Sequence, residues 1–281
     1  MKVLIIGITS GVAVPLVERL LSKGHTVIGT VRTVEQVATA QQNHPAIAHV
    51  FKLDMADGDK VEESITSALG SNHKDLDAVI VCAGIAGYTP METASLEQFR
   101  QTFEINTVSC LAVYQTCLPL LEKTRGRIIF LSSYGGKVAM PFIGCYQASK
   151  FALEALGDTM RQEARRLGVD VVMVLPGGID TAMCGNMLTQ IEKDIAALPA
   201  TIDERYGVYY RAQRNMLAGP GKVDPDEVAA VTETALEAEV PETRYIIGEG
   251  AAFLIAERAQ RTDREMDAIF EQMYTEAAKP T

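Results

Sequence analysis

Seven short apolar runs recur along the chain, at residues 3–6, 26–31, 47–53, 76–82, 127–132, 169–175 and 244–247. Most are rich in Val and Ile, and few alternate apolar with polar positions. Near-continuous apolarity suits strands buried on both faces, as in a parallel sheet. Between the runs lie stretches in which apolar residues recur at helical spacing: 12–23, 34–42, 58–70, 95–121, 146–167 and 224–238. Strand–helix repetition of this kind predicts an α/β fold, a doubly wound parallel sheet of about seven strands with helices on both faces.

One helix start is written locally. Asp224, Pro225, Asp226 and Glu227 offer a cap, a proline at the first helical position and an acid three residues after the cap. Residues 183–222 break the rhythm, with Met, Leu and three tyrosines but no strand, and the tail after 250 reads as helix. No Pro- or Ser-rich linker and no repeat interrupts the chain. The expected organisation is therefore one domain over 1–281, with 183–222 as a lid segment over the substrate and 251–281 as a C-terminal helical tail.

Composition narrows the chemistry. The 281 residues carry 26 Lys+Arg against 36 Asp+Glu, a formal net charge of −10, which argues against nucleic acid or an anionic membrane as the main partner. The four histidines, His25, His44, His49 and His73, are scattered and show no metal-ligand spacing. A zinc site or a histidine-based triad is not expected. Five cysteines without a C-x-x-C pair read as reduced thiols, and no apolar run approaches the ~20 residues of a membrane helix, so a cytoplasmic location is expected.

The first run ends in Gly7-Ile8-Thr9-Ser10-Gly11-Val12-Ala13 and passes into a helix. A glycine permits a sharp turn off the strand, a second lets backbone approach a pyrophosphate at the helix N-terminus, and Ala13 allows close packing. At the tip of the second run stands Arg32, where an acid would hold an unphosphorylated ribose. Arginine's fork of donors suits a 2′-phosphate, with Thr9 and Ser10 able to add hydroxyls, so NADP(H) is favoured over NAD(H). A solvated surface charge is the competing reading of Arg32. Asp54, after the third run beside Met55, is placed either to accept from an adenine amino group or to cap the N-terminus of a helix.

Tyr146 and Lys150 are four residues apart and share one helix face. A nearby ammonium favours the phenolate and makes tyrosine a usable proton donor or acceptor near neutral pH. Ser133 lies thirteen residues upstream of Tyr146, and Asn106 sits in a helical stretch. With Tyr146-Gln147-Ala148-Ser149-Lys150 and the glycine turn, the chain resembles the short-chain dehydrogenase/reductase family, in its compact single-domain branch and loosely its hydroxysteroid and retinol dehydrogenase-like members. The resemblance implies a Rossmann-type fold and a catalytic set in which Tyr146 exchanges the proton, Ser133 orients the substrate oxygen, Lys150 binds the nicotinamide ribose, and Asn106 holds a water. It also implies a cofactor cleft formed by Gly7, Thr9, Ser10, Gly11, Val12, Arg32, Asp54, Met55, Ala83, Gly84, Pro176, Gly177, Ile179 and Thr181, together with Asn106, Tyr146 and Lys150. Two departures stand out: Ala13 takes the third small position of the glycine turn, and Val81-Cys82-Ala83-Gly84 replaces the family's N-N-A-G, which removes side-chain bonds expected to tie that loop.

The substrate would sit over Tyr146 among Ile85, Tyr88, Tyr134, Met140, Phe142, Met183, Met187 and Tyr206. This apolar and aromatic lining suits an uncharged hydrophobic ketone or secondary alcohol. The leading expectation is an NADPH-dependent ketone reductase. The alternatives are an alcohol or hydroxysteroid dehydrogenase working in oxidation, and a catalytically silent NADP(H)-binding sensor. By resemblance a homodimer or homotetramer is expected, through the helices at 95–121 and 146–167.

Overall fold

In the computed structural model, residues 1–70 and 75–279 are described; His73 lies outside them. Seven strands form one parallel sheet in the order β3-β2-β1-β4-β5-β6-β7. They are β1 (Lys2–Ile6), β2 (Thr26–Val31), β3 (His49–Lys52), β4 (Ala78–Val81), β5 (Arg127–Leu131), β6 (Asp170–Pro176) and β7 (Arg244–Ile247). The expected runs at 47–53 and 76–82 are trimmed at both ends, and 26–31 and 244–247 hold their bounds.

Alternate residues of each strand serve opposite layers. Leu4, Ile6, Val79, Val81, Ile128 and Phe130 face α3 (Val61–Leu69), α5 (Ser109–Glu122) and α6 (Gly144–Ala164). Val3, Ile5, Ala78, Ile80, Ile129 and Leu131 face α1 (Ala13–Ser22), α2 (Val34–Asn43) and α9 (Pro225–Glu237). Both faces being covered is why the strands read as continuous apolar runs. Each fully buried Leu, Ile or Val contributes about 1.5–3 kcal/mol of transfer free energy, which makes these two layers the main source of stability.

The Asp224 cap forms as the sequence predicts, accepting from Asp226 N at 2.8 Å with proline at the first position of α9. The stretch 95–121 reads as one helix but is broken. Helix α4 (Leu96–Phe103) passes through a single π turn, Glu104–Val108, into α5. Residues 183–222 contain two antiparallel-connected helices, α7 (Ala182–Ala196) and α8 (Ala200–Ala218), and the tail forms α10 (Glu249–Gln260) and α11 (Asp263–Ala277). Helix α11 packs against α8 through Met266, Phe270 and Tyr274, outside the two sheet layers. No helix among the described residues is long and apolar enough to cross a membrane.

Candidate active site

The chain leaves β1 toward β2 on one side and enters β4 on the other, so a crevice opens at the carboxyl ends of β1 and β4. Gly7 and Ala83 meet there. Gly7 has φ +86°, and a Cβ on it would stand 3.1 Å from that of Ala83. Its N–H donates to Thr30 Oγ1 at 2.9 Å, and Ile8 N donates to Thr30 O at 3.0 Å, which fixes the turn to β2. A Cβ on Gly11 would fall 2.6 Å from Thr181 Cγ2, so only glycine lets the start of α1 approach the start of α7. Ala13 N donates to Ser10 Oγ at 3.2 Å, Val12 is buried, Thr9 is exposed, and the first turn of α1 carries no acid. A helix N-terminus without acids beside two glycine contacts fits a pyrophosphate.

Arg32 is exposed at the tip of β2 and has no hydrogen bond or ion pair among the described residues. Asp54 Oδ1 accepts from Ala56 N at 3.0 Å, capping its own turn, and buried Met55 accepts from Ser109 Oγ through its carbonyl at 2.7 Å. Pro176 ends β6, Gly177 N donates to Ile247 O at 2.9 Å, Ile179 bridges to Val223, and Thr181 stands just before α7.

The candidate catalytic groups gather around two glycines. A Cβ on Gly135 would stand 3.4 Å from Ser133 Oγ and 3.5 Å from Tyr146 Cε1, so the hydroxyl and the phenol ring flank the same glycine. Ser133 Oγ accepts from Gly135 N at 3.0 Å, whereas Ser132 Oγ is buried without a partner. A Cβ on Gly84 would stand 3.3 Å from Asn106 Oδ1 and 3.8 Å from Lys150 Nζ. Lys150, 4% exposed, donates to Leu131 O at 2.8 Å and lies 5.9 Å from the centre of the Tyr146 ring. An ammonium has three donors, so two remain for a ligand.

The π turn works as a hub for this region. Asn106 accepts from Ile85 N at 2.9 Å and donates to Ile85 O at 2.9 Å and Ser149 Oγ at 3.0 Å. Thr107 Oγ1 donates to Ser149 O at 2.9 Å, and Glu104 accepts from Gly58 N at 2.9 Å. The missing asparagines after β4 therefore do not leave the loop untied: Asn106 grips both backbone groups of Ile85, and Cys82 N and Ala83 N both donate to Ile6 O. Burial pushes the Cys82 and Cys117 thiols up to about 12 and the Cys110 thiol up to about 11, which makes them inert. Burial raises Cys145 as well.

On the substrate side, burial, with Tyr146 adding to it, pushes Tyr134 up to about 12, and its hydroxyl lies 3.8 Å from Met140 Sδ. Phe142, at φ +80°, sets its ring edge-on to Tyr210 of α8 at 4.5 Å. Tyr88 and Met187 pack against the buried cluster that contains this pair, and Ile85 is half-buried with its N–H on Asn106 Oδ1. Met183 is 43% exposed, whereas the Tyr206 ring packs against the same cluster with its hydroxyl turned out to Glu92 at 2.7 Å. Two residues outside the sequence expectations lie next to it, joined to each other through the Tyr274 hydroxyl and the Gln213 amide. Gln213 continues the buried α8 stripe of Tyr210 and Leu217, and Tyr274 continues the α11 stripe of Met266 and Phe270; the helical spacing of each stripe was the available signal. Among the described residues, no group of His, Cys, Asp or Glu can hold a metal.

A family model described as short chain dehydrogenase matches residues 1–192. The NADPH-dependent 3-dehydrocapnine reductase of Ornithobacterium rhinotracheale is 29% identical over 282 residues, covering 94% of this chain and 94% of its own. Retinol dehydrogenase 5 of Mus musculus is 30% identical over 283 residues, covering 95% of this chain and 86% of its own. A crystal structure of a short-chain dehydrogenase from Streptomyces avermitilis aligns with a TM-score of 0.75 at 22% identity, covering 97% of this chain and 94% of that one.

Proposed function

This chain belongs to the short-chain dehydrogenase family, and from that premise we propose that it reduces an uncharged hydrophobic ketone with NADPH, Tyr146 supplying the proton. It is an oxidoreductase that works with a nicotinamide cofactor. The convergence of Ser133, Tyr146, Lys150 and Asn106 at the carboxyl ends of β4 and β5 carries the reading. The glycine contacts at Gly7 and Gly11, the acid-free start of α1 and the unpartnered Arg32 fit a dinucleotide with a 2′-phosphate. The similarity to an NADPH-dependent reductase supports the same choice.

When bound, the cofactor supplies the hydride that the carbonyl carbon accepts. Ser133 Oγ holds the carbonyl oxygen beside the phenol. Tyr146 Oη gives its proton to that oxygen as the carbon is reduced, and the phenolate is reprotonated from solvent. The Lys150 ammonium, anchored on Leu131 O, keeps two donors with which it would hold the cofactor's ribose. Asn106 fixes the Ile85 loop, which would line the nicotinamide end of the cofactor. A sensor role gives no reason for these four groups to converge.

The five free thiols suit a reducing compartment such as the cytoplasm, and exposed Val108 and Phe151 near α5 and on α6 suit self-association, read by gel filtration. Replacement of Tyr146 by Phe is expected to abolish ketone-dependent NADPH consumption while leaving the NADPH dissociation constant within about twofold, since only one hydroxyl is lost. Unchanged turnover would refute the mechanism.

A further inference from the structure

Tyr146, Lys150 and Glu154 recur at every fourth position of α6, so they lie along one stripe of the helix. The reaction proposed above uses the first two and leaves the third without a part. Glu154 is 2% exposed. Its Oε2 takes cations from two separate parts of the fold: Arg244 Nε, at the start of β7, at 2.9 Å, and Lys137 Nζ, just past Ser133, at 3.0 Å. Arg244 also reaches Asp158 at 2.9 Å, one turn further along α6, and Asp158 holds Arg161 at 3.0 Å. Arg244 thus braces the carboxylate from the sheet, and Lys137 is the group that the carboxylate holds.

Lys137 closes the tight turn that begins at Ser133. Gly135 N donates to Ser133 Oγ at 3.0 Å, Gly136 N to Ser133 O at 2.9 Å and Lys137 N to Tyr134 O at 2.9 Å. Those bonds shape the turn without attaching it to α6. A Cβ on Gly136 would stand 2.7 Å from Glu154 Cγ and 3.0 Å from Lys150 O, so a glycine is needed for the turn to lie this close on the helix. Gln147 clamps the residues that follow, accepting from Met140 N at 2.9 Å and donating to Val138 O at 3.0 Å. Ser133 and Tyr146 flank Gly135 at one end of the contact, and the Lys137–Glu154 pair closes the other end.

We propose that Glu154 is a positioning residue for the catalytic pair: through Lys137 it fixes the turn that carries Ser133 against the helix that carries Tyr146. It touches no reacting atom. This rests on the ketone-reductase reading above and adds a residue to it. Desolvation of a buried carboxylate offsets much of its attraction to the cations, so the pair contributes geometry more than stability. Removing Glu154 strands neither cation, because Lys137 and Arg244 are both partly wetted and Arg244 keeps Asp158. A displacement of about 1 Å at a reacting group costs up to about a hundredfold in rate, so a small loosening of the turn is read in kcat.

The test is steady-state kinetics of the full chain with NADPH and a series of straight-chain methyl ketones, beside thermal melting and hydrogen exchange. Glu154→Gln and Lys137→Met are each expected to lower kcat about tenfold, with the NADPH dissociation constant within about twofold and the melting temperature within about 4 °C of wild type. Lys137 is half-buried at the surface, so Lys137→Met reads the contact even where Glu154→Gln folds poorly. The double variant should be no slower than either single one, since both break the same contact. Lys137→Arg, which restores the ion pair, is expected to recover most of kcat. Asp158→Asn, which leaves both cations on Glu154, is the control and should keep kcat within about twofold. Unchanged kcat in Glu154→Gln and Lys137→Met, losses that add in the double variant, or an equal loss in Asp158→Asn overturns the inference. Hydrogen exchange reads the clamp without turnover: the amides of Gly136, Lys137 and Val138 should exchange faster in both single variants while β5 and β6 keep their protection, and unchanged exchange overturns the inference. Faster exchange there in a protein whose wild type turns over no ketone supports the clamp and counts against the reductase reading alone.

Discussion

The hydroxyl of Tyr274 donates to the carbonyl of Pro141 at 2.7 Å across 133 residues of sequence. The last helix is thereby joined to the segment between Ser133 and Tyr146, five residues before the phenol. Tyr274→Phe keeps the ring in its buried site and its edge contact with Tyr209 at 5.3 Å. It removes one hydrogen bond worth about 1 kcal/mol, so KM for the ketone is expected to rise about fivefold while the NADPH dissociation constant stays put. Steady-state kinetics with each reactant varied separates the two; an effect on melting temperature alone would mark the bond as purely structural.

Among the described residues Arg32 has no partner to leave behind when it is removed. Arg32→Ala is therefore expected to weaken NADPH about tenfold at low salt, with NADH nearly unaffected. Because the site is exposed, the loss should shrink as ionic strength rises toward a Debye length of about 8 Å. Fluorescence titration at two salt concentrations checks both parts. Tighter NADH than NADPH binding by the wild type contradicts the assignment.

Asn106 makes three hydrogen bonds that bind the Ile85 loop to α6. At about 0.5–1.5 kcal/mol each, Asn106→Ala is expected to loosen this loop by about 2–4 kcal/mol. Hydrogen exchange should accelerate at Ile85 and its neighbours while β1 and β4 keep their protection. Turnover should fall with it. Protection of the loop equal to wild type would show that other contacts suffice.

Glu233 on α9, 4% exposed, pairs with Arg19 at 2.5 Å and with Lys23, both on or next to α1. Burial alone would raise its carboxyl, but the hydrogen bonds from Lys23 and Arg19 outweigh burial and hold it below the ordinary glutamate value. A carboxyl depressed in the folded state adds stability above its unfolded pKa of about 4.3 and loses it as pH falls through the lower folded value. Glu233→Gln is expected to cost about 1–2 kcal/mol at pH 7, limited by the wetting of the two cations. The wild-type and variant urea curves should converge as pH drops below about 4.

The sheet was legible because Leu4, Ile6, Val79 and Val81 face one layer while Val3, Ile5, Ala78 and Ile80 face the other, and that leaves an unmistakable apolar run. The glycine turn and the Tyr146–Lys150 pair were legible because each depends on spacing within one element. What lay hidden depends on distant segments meeting. The Gln213–Tyr274 bond spans 61 residues and joins two helices whose own periodicity says only that a stripe is buried. Asp54 Oδ1 accepts from Ala56 N within a turn rather than at a helix N-terminus, a local bond that a lone Asp in a loop does not announce. Met183 read as lining because Met is apolar, yet it sits on the outer side of the first turn of α7.

The break at Glu104–Val108 left no trace in composition, since apolar spacing continues through it, and it works as a slack loop in an otherwise regular rod. A residue adds about 100° of rotation in an α-helix, and a π turn takes up one more residue than the regular ladder for about the same rotation. The extra residue is absorbed there, so Thr102 of α4 and Cys110, Val113 and Cys117 of α5 keep their buried sides. Deleting a single residue within the turn should restore the regular ladder and leave both helices packed, while withdrawing Asn106 and Thr107 from Ser149. An insertion or deletion within α4 or α5, where no wide turn absorbs it, should instead rotate one helix against the other by about 100°.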